Sequence, residues 1–247
     1  MQKITRRIIA IAFWILLWQI LAIIIHNKIL LAGPVETLAT LIRLAGEAVF
    51  WQSIMATTGR ILLGFLIGSV IGIGFGYLSY INEMVREFLA PLILALKSVP
   101  VASFVILLLI WFGSRNISVI IVAMVVFPIL YTNTLEGLIS TDNKMLEMAK
   151  VFRMPKERVI GYIFLPQLLP FWQGAFKLAI GMSFKSGIAA EVIGQPMGTI
   201  GNGLYQAKIY LETGELFAWT IVTVLVAFLC EKVISVLLSL PIRKKSK

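Results

Sequence analysis

Apolar runs long enough to cross a lipid bilayer constrain this chain more than any other feature of its sequence. A helix of roughly 20 residues spans the hydrocarbon core of a membrane, and about six runs reach that length. They cover residues 8–25, 56–80, 88–112, 117–138, 171–193 and 216–240. Charged residues make up only 14% of the chain, whereas a soluble domain averages about 25%. The sequence therefore predicts an all-α integral membrane protein, with residues 1–247 forming a single transmembrane domain.

The first run has two readings, a cleaved signal peptide or a retained helix. It follows three basic residues and is apolar from Ile8 to Ile25 except for Gln19. This run is longer than the apolar region of a signal peptide, and no small-x-small cleavage site follows it. We therefore expect a retained helix whose N-terminus lies in the cytoplasm.

The distribution of Lys and Arg predicts how the runs are oriented, because cytoplasmic loops carry an excess of both. With both termini in the cytoplasm, thirteen basic residues lie in inner segments and five in outer segments. The inner set is Lys3, Arg6, Arg7, Arg86, Lys144, Lys150, Arg153, Lys156, Arg158, Arg243, Lys244, Lys245 and Lys247. The outer set is Lys28, Arg43, Arg60, Arg115 and Lys208. We therefore attribute the net charge of +10 to membrane orientation and expect no nucleic-acid partner.

Two segments outside the runs have patterns of their own. The segment from His26 to Trp51 carries apolar residues at helical spacing, which predicts an amphipathic helix at the outer membrane surface. We interpret the lone His26 as a solvated or interfacial residue and expect no metal site. Residues 194–215 are rich in glycine, and we expect them to form a flexible outer loop or a re-entrant segment.

Four glycines recur every four residues in the second run, at Gly64, Gly68, Gly72 and Gly76. Residues four apart share one face of a helix, and glycine lets a neighbouring helix approach that face closely. The pattern predicts a helix-packing face, either within one chain or between subunits.

Three lysines and one glutamate fall inside or beside the apolar runs, at Lys97, Lys177, Lys185 and Glu191. A charge at membrane depth faces a cavity or a partner by default, so we take these residues as candidates for a transport pathway. Two alternatives stay open, namely that a lysine side chain reaches the membrane surface or that Lys185 pairs with Glu191. If Lys185 faces the pathway, the cavity suits an anion.

A charged island at residues 143–166 interrupts the apolar sequence on the predicted cytoplasmic side. Its apolar residues recur at helical spacing with charges between them, and Pro155 occupies a position typical of a second helix start. The spaced residues are Met145, Met148, Ala149 and Phe152. The pattern predicts a helix-turn-helix lying at the membrane surface, which is a docking element for a soluble partner.

The island resembles the EAA motif of ABC importer permeases, which reads Glu-Ala-Ala, three residues, Gly, nine residues, Ile-x-Leu-Pro. Five of the seven specified positions match, at Glu147, Ala149, Ile163, Leu165 and Pro166. Two positions depart from the motif, because Met148 replaces the second Ala and Arg153 replaces the Gly. The glycine would end the first helix in a left-handed conformation, so an Arg there either costs on the order of 1 kcal/mol or changes the turn.

Other fragments resemble the permeases that import nitrate, sulfonates, taurine and related solutes. They lie in the order expected for that family over roughly residues 31–240. The fragments are Thr58-Gly-Arg60 to Phe65, Pro91 to Pro100, Ile110-Trp-Phe-Gly113, Phe127 to Asn133 and Ala189-Ala-Glu191.

The resemblance implies a type I ABC importer permease fold in which residues 143–166 form a cytoplasmic coupling helix. It implies a homodimer in a bacterial inner membrane, two ATP-binding subunits that bring ATP and Mg, and an extracytoplasmic substrate-binding protein. Glu147 would face the ATPase, and Ala149, Leu165 and Pro166 would shape the turn. Phe152 and Arg153 complete the expected coupling set.

The sequence itself carries no phosphate-binding loop, since Gly-Lys never occurs as a dipeptide. We therefore expect no enzyme activity and no cofactor in this chain, and a permease that works by alternating access. One alternative is a secondary transporter driven by an ion gradient, which would need acidic or histidine relays within the spans. The other alternative, a scaffold protein, gives no reason for prolines and lysines inside the runs.

Overall fold

The computed structural model describes the backbone of residues 2–27 and 29–245, and the side chains of residues 5–6, 8–27 and 29–238. The described residues form eleven α-helices and one π-helical turn, without a β-strand. The helices are α1 Gln2–Ile25, α2 Pro34–Ala45, α3 Ala48–Ile81, α4 Glu83–Ser98, α5 Val101–Phe112, α6 Ile117–Ile139, α7 Asn143–Val151, α8 Lys156–Val159, α9 Leu165–Gly194, α10 Ile200–Ile209 and α11 Thr213–Lys245, with the π-helical turn at Ile160–Phe164. The predicted all-α fold is confirmed.

Five helical stretches are long and apolar enough to cross a membrane, and α4 with α5 makes a sixth if that pair counts as one span. The five are Ile8–Ile25, Ala48–Ile81, Ile117–Ile139, Lys156–Gly194 and Thr213–Leu238. This agrees with the prediction of about six transmembrane helices. The structure does not describe the side chains of several basic residues that were used to predict the orientation. They are Lys3, Arg7, Lys28 and those from Arg243 onward.

The third predicted span, residues 88–112, is not one straight helix. Helices α4 and α5 meet at an angle of 105°. The break lies at Pro100, which has no N–H for a helical hydrogen bond, and Val99 before it is extended with ψ 132°. Proline at this position therefore turns one expected span into a bent pair.

Helices α3 and α6 pack backbone to backbone along the glycine face. A Cβ added to any of the four glycines would lie within 2.8 Å of an α6 atom, closer than real Cβ contacts. The nearest atoms are the carbonyl oxygens of Val119 at 2.5 Å from Gly64, Ala123 at 2.7 Å from Gly68 and Phe127 at 2.7 Å from Gly72, and Cβ of Thr134 at 2.8 Å from Gly76. The structure thus places this face within the chain.

Helix α9 completes the core against α3 and α6. Phe184 and Ile180 are buried in one apolar cluster with Ile61 of α3 and Val122 of α6. Gly187 allows this approach, because its added Cβ would lie 2.9 Å from side-chain carbons of both Ile61 and Val122. The three helices form the compact centre of the described structure.

A flexible loop or a re-entrant segment was expected at residues 194–215. The prediction of a flexible loop is wrong, because Ile200–Ile209 form helix α10. Thr199 caps its N-terminus, accepting a hydrogen bond from the backbone N–H of Asn202 at 3.1 Å. Its glycines serve close packing, since a Cβ on Gly203 would lie 2.6 Å from the Trp219 ring. An added Cβ on Gly201 would lie closer still to its neighbour, at 2.2 Å from Cβ of Glu191 in α9.

Helices α1 and α2 lie at the edge of the bundle. Trp18 of α1 donates a hydrogen bond from its indole N–H to the carbonyl of Ala32 at 3.0 Å and packs against the Phe217 ring at 5.1 Å. None of the apolar window in α1 is buried by the described chain. Helix α2 begins at Pro34 within the segment predicted to form an amphipathic helix.

Candidate functional site

The island at residues 143–166 folds as a helix-turn-helix, as its pattern predicted. Helix α7 begins after Asp142, whose side chain accepts a hydrogen bond from the N–H of Lys144 at 2.9 Å. Glu147 is exposed on this helix, while Ala149 is 4% exposed on the opposite side. The helix therefore leaves the face of Glu147 open and turns Ala149 toward its own chain.

Helix α7 ends in a Schellman turn with Arg153 in the left-handed conformation, at φ 48°. The N–H of Met154 donates to the carbonyl of Ala149 at 2.9 Å, and the N–H of Arg153 donates to that of Lys150 at 3.1 Å. This is the hydrogen-bond pattern that a glycine usually permits at the end of a helix. Of the two alternatives left open for Arg153, the structure shows the strained residue within an unchanged turn.

A small recess joins α7 to the helix that follows. Its lining includes Leu146 and Ala149 on one side and Met154 and Val159 on the other. A larger residue than alanine at position 149 would push these elements apart, because Ala149 is already buried. Ala149 and Val159 thus bring α7 and α8 to the same recess.

The return to the membrane is one helical rod from Lys156 to Gly194, interrupted only by the π-helical turn. In that turn the N–H of Leu165 donates to the carbonyl of Ile160, five residues back. Pro166 follows at once and lacks an N–H, and its ring would clash with the carbonyl four residues earlier in a regular helix. The wider turn gives this proline room, so the rod stays continuous with Leu165 half-buried and Pro166 exposed.

Large apolar side chains are exposed on the island, outside the apolar windows of the chain. Val151 is 78% exposed and Phe152 75%, whereas Tyr162, at 67%, already lies in the candidate span Lys156–Gly194. Basic residues, including Lys150 and the exposed Arg153, lie among them. An exposed apolar patch rimmed by charge is typical of a protein interaction surface.

The three lysine candidates differ in their surroundings. Lys97 is exposed in the last turn of α4, next to the bend before α5. Lys177 forms a salt bridge with Glu231 of α11 at 3.5 Å. Lys185 is exposed about two thirds of the way along α9 and forms no salt bridge with any described residue.

Lys185 lies on an open strip of small residues along α9. Gly174 and Gly181 have nothing within 4 Å of an added Cβ, and Ala189 is exposed one turn beyond Lys185. A lysine in a candidate span is costly against lipid. The strip therefore remains a candidate for the predicted pathway surface.

Glu191 is fully buried, at 0% exposure, and so does not lie on that open strip. Its carboxylate accepts hydrogen bonds from the hydroxyls of Thr57 at 2.8 Å and Ser118 at 3.2 Å, and from the N–H of Gly201 at 3.3 Å. The sequence offered no way to find Thr57 and Ser118 as partners, because they lie 134 and 73 residues from Glu191 along the chain.

No group of three His, Cys, Asp or Glu side chains that could hold a metal occurs among the described residues. The candidate functional features of the described structure are the exposed island, the open strip of α9 and the buried Glu191 network.

Comparison with known proteins identifies the family to which this architecture belongs. Residues 61–244 match the family described as "Binding-protein-dependent transport system inner membrane component". The chain is 26% identical over 225 residues to the aliphatic sulfonates transport permease protein SsuC of Bacillus subtilis, a match that covers 90% of this chain and 81% of that protein. It is also 26% identical over 220 residues to the taurine transport system permease protein TauC of Escherichia coli, covering 87% and 80%.

A solved structure shares the fold. The permease chain of the MetNI methionine ABC transporter in an inward-facing conformation superimposes with a TM-score of 0.64, covering 77% of this chain and 96% of that chain at 14% identity. The family match extends over well more than half of the chain, and the helical architecture agrees with it. This chain therefore belongs to the inner membrane components of binding-protein-dependent transport systems, the permeases of ABC importers.

Proposed function

We propose that this chain is the transmembrane subunit of an ATP-driven importer for a small organic anion, such as a sulfonate. Its similarity to SsuC and TauC, named for aliphatic sulfonates and taurine, supports this solute class. Two copies of the chain form the pathway in a bacterial inner membrane, with all termini in the cytoplasm. Two ATPase subunits, which carry ATP and Mg, bind below, and an extracytoplasmic binding protein delivers the solute from above.

The observation that carries this proposal is the exposed helix of the island, connected by a structured turn to a helix long enough to cross the membrane. Helix α7 has a capped start and ends in a Schellman turn. The helical stretch that follows, from Lys156 to Gly194, would be roughly 58 Å long at 1.5 Å per residue. A displacement of α7 therefore reaches the membrane helix through the turn at residues 152–155.

We assign the open strip of α9 to the transport pathway and to the cavity shared with the second copy of the chain. Lys185 is the exposed cation of this strip, whereas the charge of Lys177 is balanced by Glu231. The small residues around Lys185 leave room for a solute, and its ammonium group attracts an anion. In the dimer, the two strips line a shared central cavity.

Transport then proceeds by alternating access. ATP binding brings the two ATPase subunits together, and their movement passes through residues 143–166 to the spans, which open the cavity outward. Hydrolysis resets the inward-facing state. Glu147 and Phe152 contact the ATPase, and Arg153 holds the turn that orients them.

The first test is to purify the tagged chain from its native membrane. An ATPase subunit should be recovered with it, and solute uptake in vesicles should require ATP. Recovery of the chain without an ATPase, combined with uptake that follows an ion gradient, would favour the secondary transporter instead.

The second test changes the charge at Glu147. Glu147→Arg should abolish solute-stimulated ATP hydrolysis while the protein still inserts into the membrane. Glu157→Arg is the matched control, since Glu157 is also exposed on the island but lies in α8. Unchanged stimulation in Glu147→Arg, or an equal loss in both variants, would contradict the role of Glu147.

A further inference from the structure

The buried Glu191 carboxylate lies where four helices meet, at the end of α9 opposite the island. Its hydrogen-bond donors belong to three other helices, Thr57 in α3, Ser118 in α6 and Gly201 in α10. Each donor approaches one of the two carboxyl oxygens, and Glu191 is 0% exposed. The side chain is thus a shared acceptor that links these helices without contacting an open surface.

The start of α10 depends on this acceptor. The first N–H groups of a helix have no partner inside the helix. Here the N–H of Ile200 donates to the Thr57 hydroxyl at 2.9 Å, and that of Gly201 donates to Glu191 at 3.3 Å. Thr57 therefore accepts from α10 while donating to Glu191. Removal of either side chain would leave an N–H of α10 buried and unpaired.

The backbones of α9 and α10 are also in close contact at this point. A Cβ added to Gly201 would lie 2.2 Å from Cβ of Glu191 and 2.7 Å from the backbone nitrogen of Val192. No side chain fits between the two helices, so the hydrogen bonds of α10 join helices that are already in backbone contact.

We propose that Glu191 is a positioning residue, which fastens α10 to the ends of α3, α6 and α9 so that all four move as one body during transport. It acts by accepting hydrogen bonds. No salt bridge joins it to Arg60, so its direct contacts are the three donors. The role in transport rests on the proposed function, whereas the attachment of α10 does not.

The chemistry predicts which variants keep α10 in place. Glu191→Met has a similar length and no acceptor, and Thr57→Val keeps the volume and loses the hydroxyl, so both should release α10. Glu191→Gln keeps one acceptor for Thr57 and Gly201 and offers its amide N–H to the Ser118 hydroxyl. Thr57→Ser keeps the hydroxyl. These last two variants should therefore retain the attachment.

A reporter cysteine on α10 measures the attachment directly. In the assembled transporter carrying Cys230→Ser, Ala207→Cys places a thiol at a position that is 2% exposed. Its reaction with a water-soluble maleimide should accelerate about tenfold in Glu191→Met and Thr57→Val, the ratio expected because each variant leaves one buried N–H of α10 without its hydrogen bond. It should change less than about twofold in Glu191→Gln and Thr57→Ser.

A second cysteine controls for general unfolding. Ala179→Cys introduces a thiol in the core of α9, at 0% exposure, and it should stay unreactive in every background. Protection of the α10 reporter in both Glu191→Met and Thr57→Val would overturn the proposal. So would a Glu191→Gln variant as reactive as Glu191→Met, because that result would make the charge the essential property.

The transport measurement separates positioning from folding. Glu191→Met should lower uptake much more than ATP hydrolysis, since Glu191 lies at the far end of α9 from the island. Equal losses of both, at equal amounts of protein, would contradict the positioning role. If the unaltered protein shows no ATP-dependent uptake while the labelling pattern holds, the proposed function fails and the attachment of α10 stands.

Discussion

Replacing Gly64 by alanine should force α3 away from α6 and destabilise the protein. The added Cβ would lie 2.5 Å from the carbonyl oxygen of Val119, whereas ordinary contacts begin at 3.4 Å. The helices must therefore separate locally by about 0.9 Å, the difference between these two distances. Backbone atoms cannot rotate aside as a side chain can, so the strain is spread through the interface. Overpacking of this kind costs about 1–3 kcal/mol.

The same helix supplies matched controls. Gly59 and Gly74 also lie in α3, and an added Cβ at either position meets nothing within 4 Å. Alanine favours a helix over glycine by about 1 kcal/mol, and this gain is common to all the substitutions. The difference between Gly64→Ala and Gly59→Ala therefore isolates the clash with α6.

Heating the detergent-solubilised protein and measuring the surviving fraction by size-exclusion chromatography gives the midpoint of unfolding. For a domain of this size, 1 kcal/mol shifts the midpoint by about 2–4 °C. Gly64→Ala should thus unfold about 2–12 °C below Gly59→Ala, and Gly72→Ala should behave like Gly64→Ala. Equal midpoints for Gly64→Ala and Gly59→Ala would refute the close packing of α3 on α6.

Three further predictions concern the turn and the intramembrane charges. Arg153→Gly should stabilise the turn by about 0.5–1 kcal/mol, because glycine adopts positive φ without strain, and an unchanged or lower thermal midpoint would contradict this. Lys185→Met should reduce uptake of an anion at least about tenfold, and uptake that survives would exclude Lys185 from solute binding. Lys177→Met should lower the thermal midpoint by leaving the charge of Glu231 without its partner, and adding Glu231→Met should restore it. A double variant no more stable than the single one would show that this pair does not couple the two helices.

The buried Glu191 shows why a residue can be singled out in a sequence and still be given the wrong surroundings. Its charge inside an apolar run marked it as a candidate for the transport pathway. The sequence could not show whether that partner was a cavity, Lys185 or a hydrogen-bond network. The network depends on Thr57 and Ser118, which lie 134 and 73 residues away along the chain.

Helix α10 shows that a sequence pattern can also predict the wrong local structure. Glycines between residues 194 and 203 resemble those of a loop, because glycine disfavours a helix in isolation. In the folded chain, Gly201 and Gly203 make α10 possible by letting it lie against α9 and Trp219. Whether a glycine provides backbone flexibility or close helix packing depends on a neighbouring element that the local sequence does not identify.

The sequence by itself determined the membrane class, the number of spans and the helix-turn-helix of the island, because run length, hydropathy and helical spacing are local properties. It also determined that the face of Gly64, Gly68, Gly72 and Gly76 must meet another helix. Only the tertiary structure decided that this helix is α6, that the third span bends by 105° at Pro100 and that Glu191 is enclosed. Those outcomes depend on contacts between residues far apart in the chain, where close packing and buried hydrogen bonds select one arrangement among several that the local pattern allows.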